Sequence, residues 1–215
     1  MKPIAAKRYN IEFSEKQYLI LNNFVDNHQY SSIFILVDTH TEKLCLQEFL
    51  SEFNSKNTVE IISIDAGELH KHIETCSGVW EALSELGADR KSLLINLGGG
   101  VVTDLGGFVA STFKRGIDFI NIPTTLLSMV DASVGGKTGV DLGALKNQVG
   151  VIVNPKMVLI DPRYLNTLPS EEYRSGYAEM LKHGLIQDKM YWNKLSNFKK
   201  ISTSRARYSP LPTHV

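Results

Sequence analysis

The sequence is poor in cysteine: Cys45 and Cys76 are the only two among 215 residues. They stand too far apart for the closely spaced thiolates of common zinc motifs, and one pair cannot build the disulfide framework of a small secreted domain. We therefore predict two buried free thiols.

An excess of charge of one sign is also missing, because 23 Lys and Arg residues balance 23 Asp and Glu residues. Proteins that bind duplex nucleic acid depend on surplus cations to neutralise phosphates. The balance therefore predicts no nucleic-acid partner, and it leaves room for a local basic pocket.

Long apolar runs are absent as well. No stretch approaches the ~18 apolar residues that a membrane span needs. The first residues, MKPIAAKRYNIEF, lack the apolar centre of a signal peptide. We therefore expect a cytoplasmic protein without a membrane partner.

The sequence does contain a regular alternation of strands and helices. Apolar, β-rich runs predict strands, and helical spacing predicts helices between them. The strands are Ser32–Val37, Val59–Ile64, Ser92–Leu97 and Phe119–Ile122, and the helices are Thr41–Phe53, Ile73–Leu86 and Val102–Phe113. Continuously apolar strands are typical of a mostly parallel sheet that is covered on both faces. We predict a Rossmann-like α/β domain over residues 1–160, with ligands beyond the carboxyl ends of its strands.

The composition changes towards the carboxyl end. Ser170 favours a helix start as a capping residue, and the helix is predicted to run from Glu171 to Phe198 with a break at Gly184. Residues 161–200 are assigned to the start of a helical domain. Residues 201–215 lack apolar periodicity, which predicts a disordered tail.

The segment from Asn96 to Asn147 carries two glycine clusters and several basic residues. The first cluster, Gly98-Gly99-Gly100, joins a predicted strand to a predicted helix, where backbone N–H groups and the helix dipole favour a pyrophosphate. A dinucleotide fingerprint would place a third glycine at Thr103, so the motif alone is weak. A tight turn without a ligand is the alternative. Asp104 is expected either to cap the helix or to face a ribose or substrate hydroxyl.

The second glycine cluster reads DASVGGKT from Asp131 to Thr138. A P-loop requires glycine where Asp131 stands and a strand before the cluster, whereas Leu126 to Val130 is predicted to be helical. We reject the P-loop and retain a glycine pair that presents Lys137, restrained by Asp131. The groups available for a phosphate or carboxylate are then Lys137, Arg115, Lys146 and Asn147. Isolated surface lysines are the alternative.

A third polar group consists of Glu179, Lys182 and His183, which share one helix face at spacings of three and four. A carboxylate and an imidazole at these spacings can share a metal ion, with Lys182 nearby for a substrate charge. A simple ion pair beside a solvated histidine is equally compatible.

Together these features resemble the 3-dehydroquinate synthase family, the NAD-dependent sugar-phosphate cyclases of the shikimate pathway. The resemblance runs from about Asp38 to about Phe198. It is carried by GE-x-x-K from Gly67, GGGVVTDLGGFVAST from Gly98, KRG from Lys114, PTTLL-x-MVDASVGGKTGVD from Pro123, KN at Lys146 and GYAEMLKHGLI from Gly176. It implies an α/β domain that binds NAD, followed by a mostly helical domain that completes a site for a divalent metal, zinc or cobalt.

The resemblance also implies roles for individual residues. NAD contacts fall to Asp38, Glu68, Lys71, Gly99, Gly100, Val101, Asp104, Thr124, Thr125, Lys137, Lys146, Tyr164, Thr167 and Leu168. Tyr164 replaces the family's usual phenylalanine and is expected to keep an aromatic wall. Substrate handling and catalysis fall to Arg115, Asp131, Lys137, Lys146, Asn147 and Lys182. Glu179 is the implied metal ligand, whereas His183 matches no ligand position of the family.

The implied reaction converts 3-deoxy-D-arabino-heptulosonate 7-phosphate to 3-dehydroquinate and phosphate, with NAD regenerated in each cycle. The implied partner is a phosphorylated sugar acid, and a homodimer is expected by analogy. Two alternatives stay open. One is a related sugar-phosphate cyclase or polyol dehydrogenase, and the other is a non-catalytic NAD-binding module.

The family's two remaining metal ligands are histidines of the C-terminal domain. After the matched helix this sequence has only His214, in a segment without resemblance to the family. One carboxylate does not close a zinc site. We therefore expect an incomplete metal site, weak or absent cyclase activity, and an end that reflects truncation or a change of reading frame.

Overall fold

Strands and helices alternate through the computed structural model, which describes residues 3–6, 9–14 and 18–196. The strands are β1 (Ile4–Ala5), β2 (Asn10–Phe13), β3 (Ile33–Asp38), β4 (Val59–Ile64), β5 (Leu93–Gly98), β6 (Asp118–Pro123), β7 (Lys137–Leu142), β8 (Leu145–Ile152) and β9 (Met157–Ile160). The α-helices are α1 (Leu19–His28), α2 (Thr39–Leu44), α3 (Leu46–Glu52), α4 (Ile73–Glu85), α5 (Gly100–Thr112), α6 (Ser170–Gln187) and α7 (Lys189–Ser196). The predicted tail at 201–215 lies outside the described residues. No helix within the described ranges combines the length and apolar composition that a membrane span requires.

The main sheet has the order β1-β2-β9-β6-β5-β3-β4, and β7 and β8 form a separate hairpin. All neighbouring pairs in the main sheet are parallel except β1 with β2. The chain moves from β3 outward to β4 and then returns to place β5 on the other side of β3. This reversal makes a topological switch point between β3 and β5, where open α/β sheets bind their ligands.

The central strands are buried on both faces, as their continuous apolar sequences predict. In β3, Ile33 and Ile35 belong to one hydrophobic core, and Phe34 and Leu36 belong to the other. Side chains alternate between the two faces of a strand, so each core receives every second residue. The predicted mostly parallel α/β fold is confirmed.

Two predicted helix boundaries are wrong. The single helix predicted over Thr41–Phe53 is two helices that meet at Cys45. The first begins earlier because the Asp38 side chain accepts hydrogen bonds from the backbone N–H groups of His40 and Thr41, as an N-cap.

The long carboxyl-terminal helix breaks at Asp188 rather than at Gly184. Asp188 Oδ1 accepts from the backbone N–H groups of Met190 and Tyr191, which starts α7. A Cβ at Gly184 would lie 2.8 Å from Trp192 N, so this glycine allows α6 and α7 to pack closely. Ser170 is the first helical residue rather than the cap.

The hairpin of β7 and β8 was not predicted from the sequence. Its strands approach closely at two glycines, because a Cβ at Gly139 would lie 2.5 Å from Val149 O and one at Gly150 would meet the backbone of Thr138. The hairpin packs on α5, where a Cβ at Gly107 would lie 2.5 Å from Thr138 Cγ2. Lys137, Lys146 and Asn147 are therefore carried by an ordered hairpin rather than by loops.

Both cysteines are free and buried, as predicted. Burial raises the pKa of the Cys45 thiol to about 11 and that of Cys76 to about 12. Because the thiolate is the reactive form, we expect neither thiol of the native protein to react with an aromatic disulfide reagent at about pH 8. Both should react after denaturation, as absorbance of the released thiolate will show. Rapid labelling of one thiol in the native protein would contradict this expectation.

Candidate active site

The predicted site residues follow several parallel strands at one edge of the sheet. Asp38 ends β3, Gly98 ends β5, and Thr124 follows β6. The segment after β4 carries Glu68, and the segment after β9 carries Thr167. Parallel strands share the direction of their carboxyl ends, so these residues meet at the same edge.

The glycine turn between β5 and α5 is tightly packed. A Cβ at Gly98 would lie 2.5 Å from Val102 Cβ, and a Cβ at Gly99 would lie 2.9 Å from Thr125 Cγ2. Gly99 is the N-cap of α5 and no side chain caps the helix there. Thr103 stands where a third glycine was expected, and its hydroxyl donates to Gly99 O. The packing accounts for the first two glycines, and the uncapped helix end provides N–H groups for an anion.

A buried ammonium group connects three distant segments. Lys71 is 4% exposed, and its Nζ donates to Asp104 Oδ2 at 2.6 Å and to Asn147 Oδ1 at 2.7 Å. Burial raises the pKa of the Asp104 carboxyl above its ordinary value, and the nearby Lys71 charge opposes that shift. Asp104 is therefore an ion-pair partner within the protein rather than a helix cap.

Asn147 is held in a specific backbone conformation. Its φ is 54°, in the left-handed region, and its N–H donates to Asp141 Oδ1 at 2.7 Å. Next to it, Lys146 Nζ lies 2.8 Å from Glu68 Oε1, and this contact raises the pKa of Lys146. We call Glu68, Lys71, Asp104, Lys146 and Asn147 the Lys71 cluster. Sequence reasoning missed Asp141, since nothing local to it signals that it orients Asn147.

Lys137 begins strand β7 directly after the glycine pair. Gly135 and Gly136 have φ values of 94° and 72°, a conformation that glycine adopts at little cost. Because a strand rather than a helix follows the glycines, the rejection of a P-loop is confirmed. The charge of Lys137 lowers the pKa of the Asp104 carboxyl, and this effect is smaller than those of burial and of Lys71.

A carboxylate and imidazole group lies where α6 meets a π-helical turn, Ser128–Ala132. Possible ligand atoms of Asp131, Glu179 and His183 all lie within 4.8 Å of one another. His183 Nε2 is 3.1 Å from Glu179 Oε1, and Lys182 forms an ion pair with the same oxygen. This ion pair raises the pKa of Lys182. His183 is partly exposed beside the largely buried Glu179.

Tyr164, which is expected to keep an aromatic wall, is 1% exposed, so its ring lies inside the protein. Its hydroxyl lies 2.6 Å from that of Tyr18, whose O–H donates to the buried carboxylate of Asp161. Arg163 binds Asp161 and extends this network to Glu52 on α3. The hydroxyl that distinguishes tyrosine from phenylalanine therefore finds a partner inside the protein. Sequence reasoning missed this network, which fixes the 3-10 segment Pro162–Thr167.

Thr167 and Leu168 follow that buried network at the site edge. The Thr167 hydroxyl donates to Tyr164 O, and Thr167 and Asp38 both lie near enough to the Cys45 thiol to influence its pKa. Asp38 Oδ1 accepts from the backbone of His40 and Thr41. The structure thus brings the predicted NAD residues of β3 and of the 3-10 segment together, and it gives Asp38 a capping function of its own.

Arg115 is the predicted site residue that the structure places elsewhere. It is exposed and lies beyond the carboxyl end of α5, whereas the Gly99–Gly100 turn lies at the amino end. A helix of 13 residues spans about 20 Å. Arg115 therefore lies far from the glycine turn, and its convergence with Lys137 and Lys146 stays a prediction.

Comparisons with known proteins agree with this arrangement. A family model described as 3-dehydroquinate synthase N-terminal matches residues 61–175. The 3-dehydroquinate synthase of Parabacteroides distasonis is 48% identical over 166 residues, which cover 77% of this chain and 47% of that protein. The chain spans about half the length of the curated relatives it matches.

Two solved cyclase structures share the fold. The 2-deoxy-scyllo-inosose synthase complexed with carbaglucose-6-phosphate, NAD⁺ and Co²⁺ matches with a TM-score of 0.79 and 28% identity, covering 86% of this chain and 52% of that chain. The 2-epi-5-epi-valiolone synthase of Streptomyces hygroscopicus subsp. jinggangensis, with NAD⁺ and Zn²⁺ bound, matches with a TM-score of 0.76 and 30% identity, covering 88% and 53%. With the family model spanning the glycine turn and the Lys71 cluster, the chain belongs to the 3-dehydroquinate synthase family.

Proposed function

We propose that this chain supplies the NAD-binding and anion-binding residues for conversion of 3-deoxy-D-arabino-heptulosonate 7-phosphate to 3-dehydroquinate and phosphate. The main support is that the Lys71 cluster lies beside the uncapped start of α5. The ion pair between Lys71 and Asp104, a residue of α5, connects the two. A dinucleotide site and an anion site thus share one edge of the sheet.

The residues at this edge suit NAD. Gly99 and Gly100 have no side chains to obstruct a pyrophosphate, and the N–H groups at the start of α5 favour its negative charge. Thr124, Thr125, Thr167 and Leu168 line the neighbouring segments of the same edge. When bound, NAD supplies a reversible hydride acceptor, and the protein contributes orientation and electrostatics.

The exposed lysines suit the phosphate and carboxylate of the substrate. The contacts of Lys146 with Glu68 and of Lys182 with Glu179 raise both lysine pKa values, so both side chains are charged at neutral pH. Together with Lys137, they provide cations for the departing phosphate. Several cations favour a phosphorylated acid over an uncharged polyol, which supports the cyclase over a polyol dehydrogenase.

Lys71 has a different function in this proposal. Because it is buried and already bound to Asp104 and Asn147, it is a positioning residue that fixes the Asn147 amide for the substrate. Its hydrogen bond to Oδ1 orients the Asn147 side chain.

Substitution of Gly100 tests the NAD site. A Cβ there would lie 3.4 Å from Ala132 Cβ, which is ordinary contact, so the backbone accepts a side chain at this position. Gly100→Asp places a carboxylate where the pyrophosphate should bind, whereas Gly100→Asn is a neutral control of equal size. We expect at least about tenfold weaker NAD binding for the aspartate variant than for the control, or about 1.4 kcal/mol. Titration calorimetry measures both, and equal affinities would contradict the proposal.

Turnover is measured on the same preparation with NAD, Co²⁺ and the heptulosonate phosphate. We expect weak phosphate release, with 3-dehydroquinate identified by mass spectrometry. A different carbocycle would indicate a related cyclase, and reduction of NAD by glycerol would indicate a polyol dehydrogenase. NAD binding with no product from either substrate would indicate a non-catalytic module.

A further inference from the structure

We propose that Thr103 and Ser128 are positioning residues that couple the NAD site to the substrate anion site, so that each ligand strengthens the binding of the other. The inference rests on the proposed function and goes beyond it, since neither residue has a role in that proposal. It also accounts for a threonine at the position where a dinucleotide fingerprint would place a third glycine.

The glycine turn packs against the π-helical turn that begins at Ser128. A Cβ at Gly99 would lie 2.9 Å from Thr125 Cγ2, and a Cβ at Gly100 would lie 3.4 Å from Ala132 Cβ. Thr125 Oγ1 in turn accepts a hydrogen bond from the N–H of Ser128 at 3.2 Å. This packing ties the position of one turn to that of the other.

Two buried hydroxyl groups connect the same two turns by hydrogen bonds. Thr103 is 1% exposed, and its Oγ1 lies 3.2 Å from Gly99 O and 3.3 Å from Gly100 O. Because Thr103 donates its single hydroxyl proton to these carbonyl groups, Ser128 is the donor in the contact of 3.4 Å between Ser128 Oγ and Thr103 Oγ1. A relay of hydroxyl donors therefore runs from the π-helical turn to the glycine turn.

The same serine also holds the segment that carries a predicted substrate residue, Asp131. Ser128 O accepts from the N–H of Ser133 at 3.1 Å and from its hydroxyl at 2.7 Å, which closes the π-helical turn around Asp131. Ser133 O accepts in turn from Nδ2 of Asn121, a buried residue of β6. The position of Ser128 therefore helps to set that of Asp131.

The relay has room to shorten when NAD binds. O–H···O hydrogen bonds usually span about 2.7–2.8 Å, whereas those of Thr103 and Ser128 span 3.2–3.4 Å. A pyrophosphate bound to the N–H groups at the start of α5 would fix Gly99 and Gly100, whose carbonyl groups would then hold the relay in place. Fixing Asp131 before the substrate binds lowers the entropy cost of substrate binding. The effect is reciprocal, because a coupling free energy acts equally on both ligands.

The test measures the dissociation constant of 3-deoxy-D-arabino-heptulosonate 7-phosphate by titration calorimetry, with and without saturating NAD. In the unsubstituted chain we expect NAD to tighten this binding at least about fivefold. Thr103→Val keeps the shape of the side chain but removes the hydroxyl, so it should reduce the NAD effect at least about threefold. Ser128→Ala should reduce it by a similar factor. The double variant should show no further loss, because both substitutions remove the same contact.

Thr112→Val and Thr103→Ser are the matched controls. Thr112 lies on the same helix, and its hydroxyl makes the same kind of backbone bonds, to Phe108 O at 2.7 Å and to Val109 O at 3.2 Å. Its substitution should leave the NAD effect unchanged, which separates loss of a helix hydrogen bond from loss of the relay. Thr103→Ser retains the hydroxyl and should keep the NAD effect of the unsubstituted chain.

An affinity that does not respond to NAD in the unsubstituted chain would overturn the inference, as would an unchanged NAD effect in either folded variant. A purely structural role would weaken substrate binding equally with and without NAD. Circular dichroism checks folding, and Thr103→Val carries the test if Ser128→Ala does not fold. If the unsubstituted chain fails to bind NAD or the heptulosonate phosphate, the proposed function is refuted and the inference with it. Binding of both ligands without coupling refutes the inference alone.

Discussion

Gly106→Ala is expected to lower the free energy of unfolding by about 3 kcal/mol. A Cβ at this position of α5 would lie 2.5 Å from Asn96 Cγ and 2.9 Å from Leu36 Cδ2. Both neighbours are fully buried, and Asn96 Nδ2 donates to Asn121 Oδ1 at 2.9 Å. The methyl group must therefore displace a buried amide or push α5 off the sheet. Urea unfolding followed by circular dichroism measures the change.

Gly78→Ala is the matched control. Gly78 also lies inside a helix, α4, but nothing lies within 4 Å of a Cβ built there. The same substitution should raise stability at this position by about 0.5–1 kcal/mol, because alanine loses less backbone entropy than glycine. If both variants change stability in the same direction, the close contact at Gly106 is not the determining factor.

Lys71→Met is expected to cost about 3 kcal/mol of stability and to weaken substrate binding. The variant keeps the length of the side chain but leaves the largely buried Asp104 carboxylate without its ion-pair partner. Lys146→Met provides the comparison, because the Lys146–Glu68 pair is exposed at 66% and 44%. Solvent screens exposed pairs, so they contribute little to stability. Equal losses of stability in the two variants would show that burial of Lys71 is unimportant.

The stability deficit of Lys71→Met should depend on pH. Burial raises the pKa of the Asp104 carboxyl in the folded state above its value in the unfolded state. Loss of Lys71 removes a charge that opposes this shift, so the folded-state pKa rises further in the variant. Stability from such a group is fully present below the unfolded pKa and is lost as pH rises through the folded value. The deficit relative to the unsubstituted protein should therefore be largest at about pH 8 and shrink towards about pH 4. Unfolding curves at several pH values give this difference directly, and a constant deficit would exclude Asp104 as its source.

Much of the fold could be predicted because its signals are local. Continuous apolar runs identified β3 and β5, and the glycine turn identified the start of α5. The β7–β8 hairpin lacked such a signal, since most residues of β8 are exposed and the close approach of Gly139 and Gly150 depends on pairing. The break at Asp188 was not predicted because Gly184, a residue type that disfavours helices, lies nearby. In the structure Gly184 is part of α6, and its lack of a side chain allows α7 to pack closely.

The site was predicted less completely because its contacts are distant in sequence. The motifs named Lys71 and Asn147, but their hydrogen bond spans 76 positions and follows only from the assembled sheet. The separation of Arg115 from the Gly99–Gly100 turn, in contrast, follows from the sequence alone. A helix that joins two parallel strands returns to the opposite edge, so its carboxyl end cannot meet residues at the edge where it began.

The Lys71 cluster also bears on how the protein folds. Its central amine joins partners that are 33 and 76 positions away, and bringing such separated segments together carries a loop-closure cost before any contact forms. The anion site should therefore be acquired late, after the sheet and the hairpin have docked. A folding intermediate with a complete sheet would still lack an oriented Asn147, and recovery of ligand binding should lag behind recovery of secondary structure.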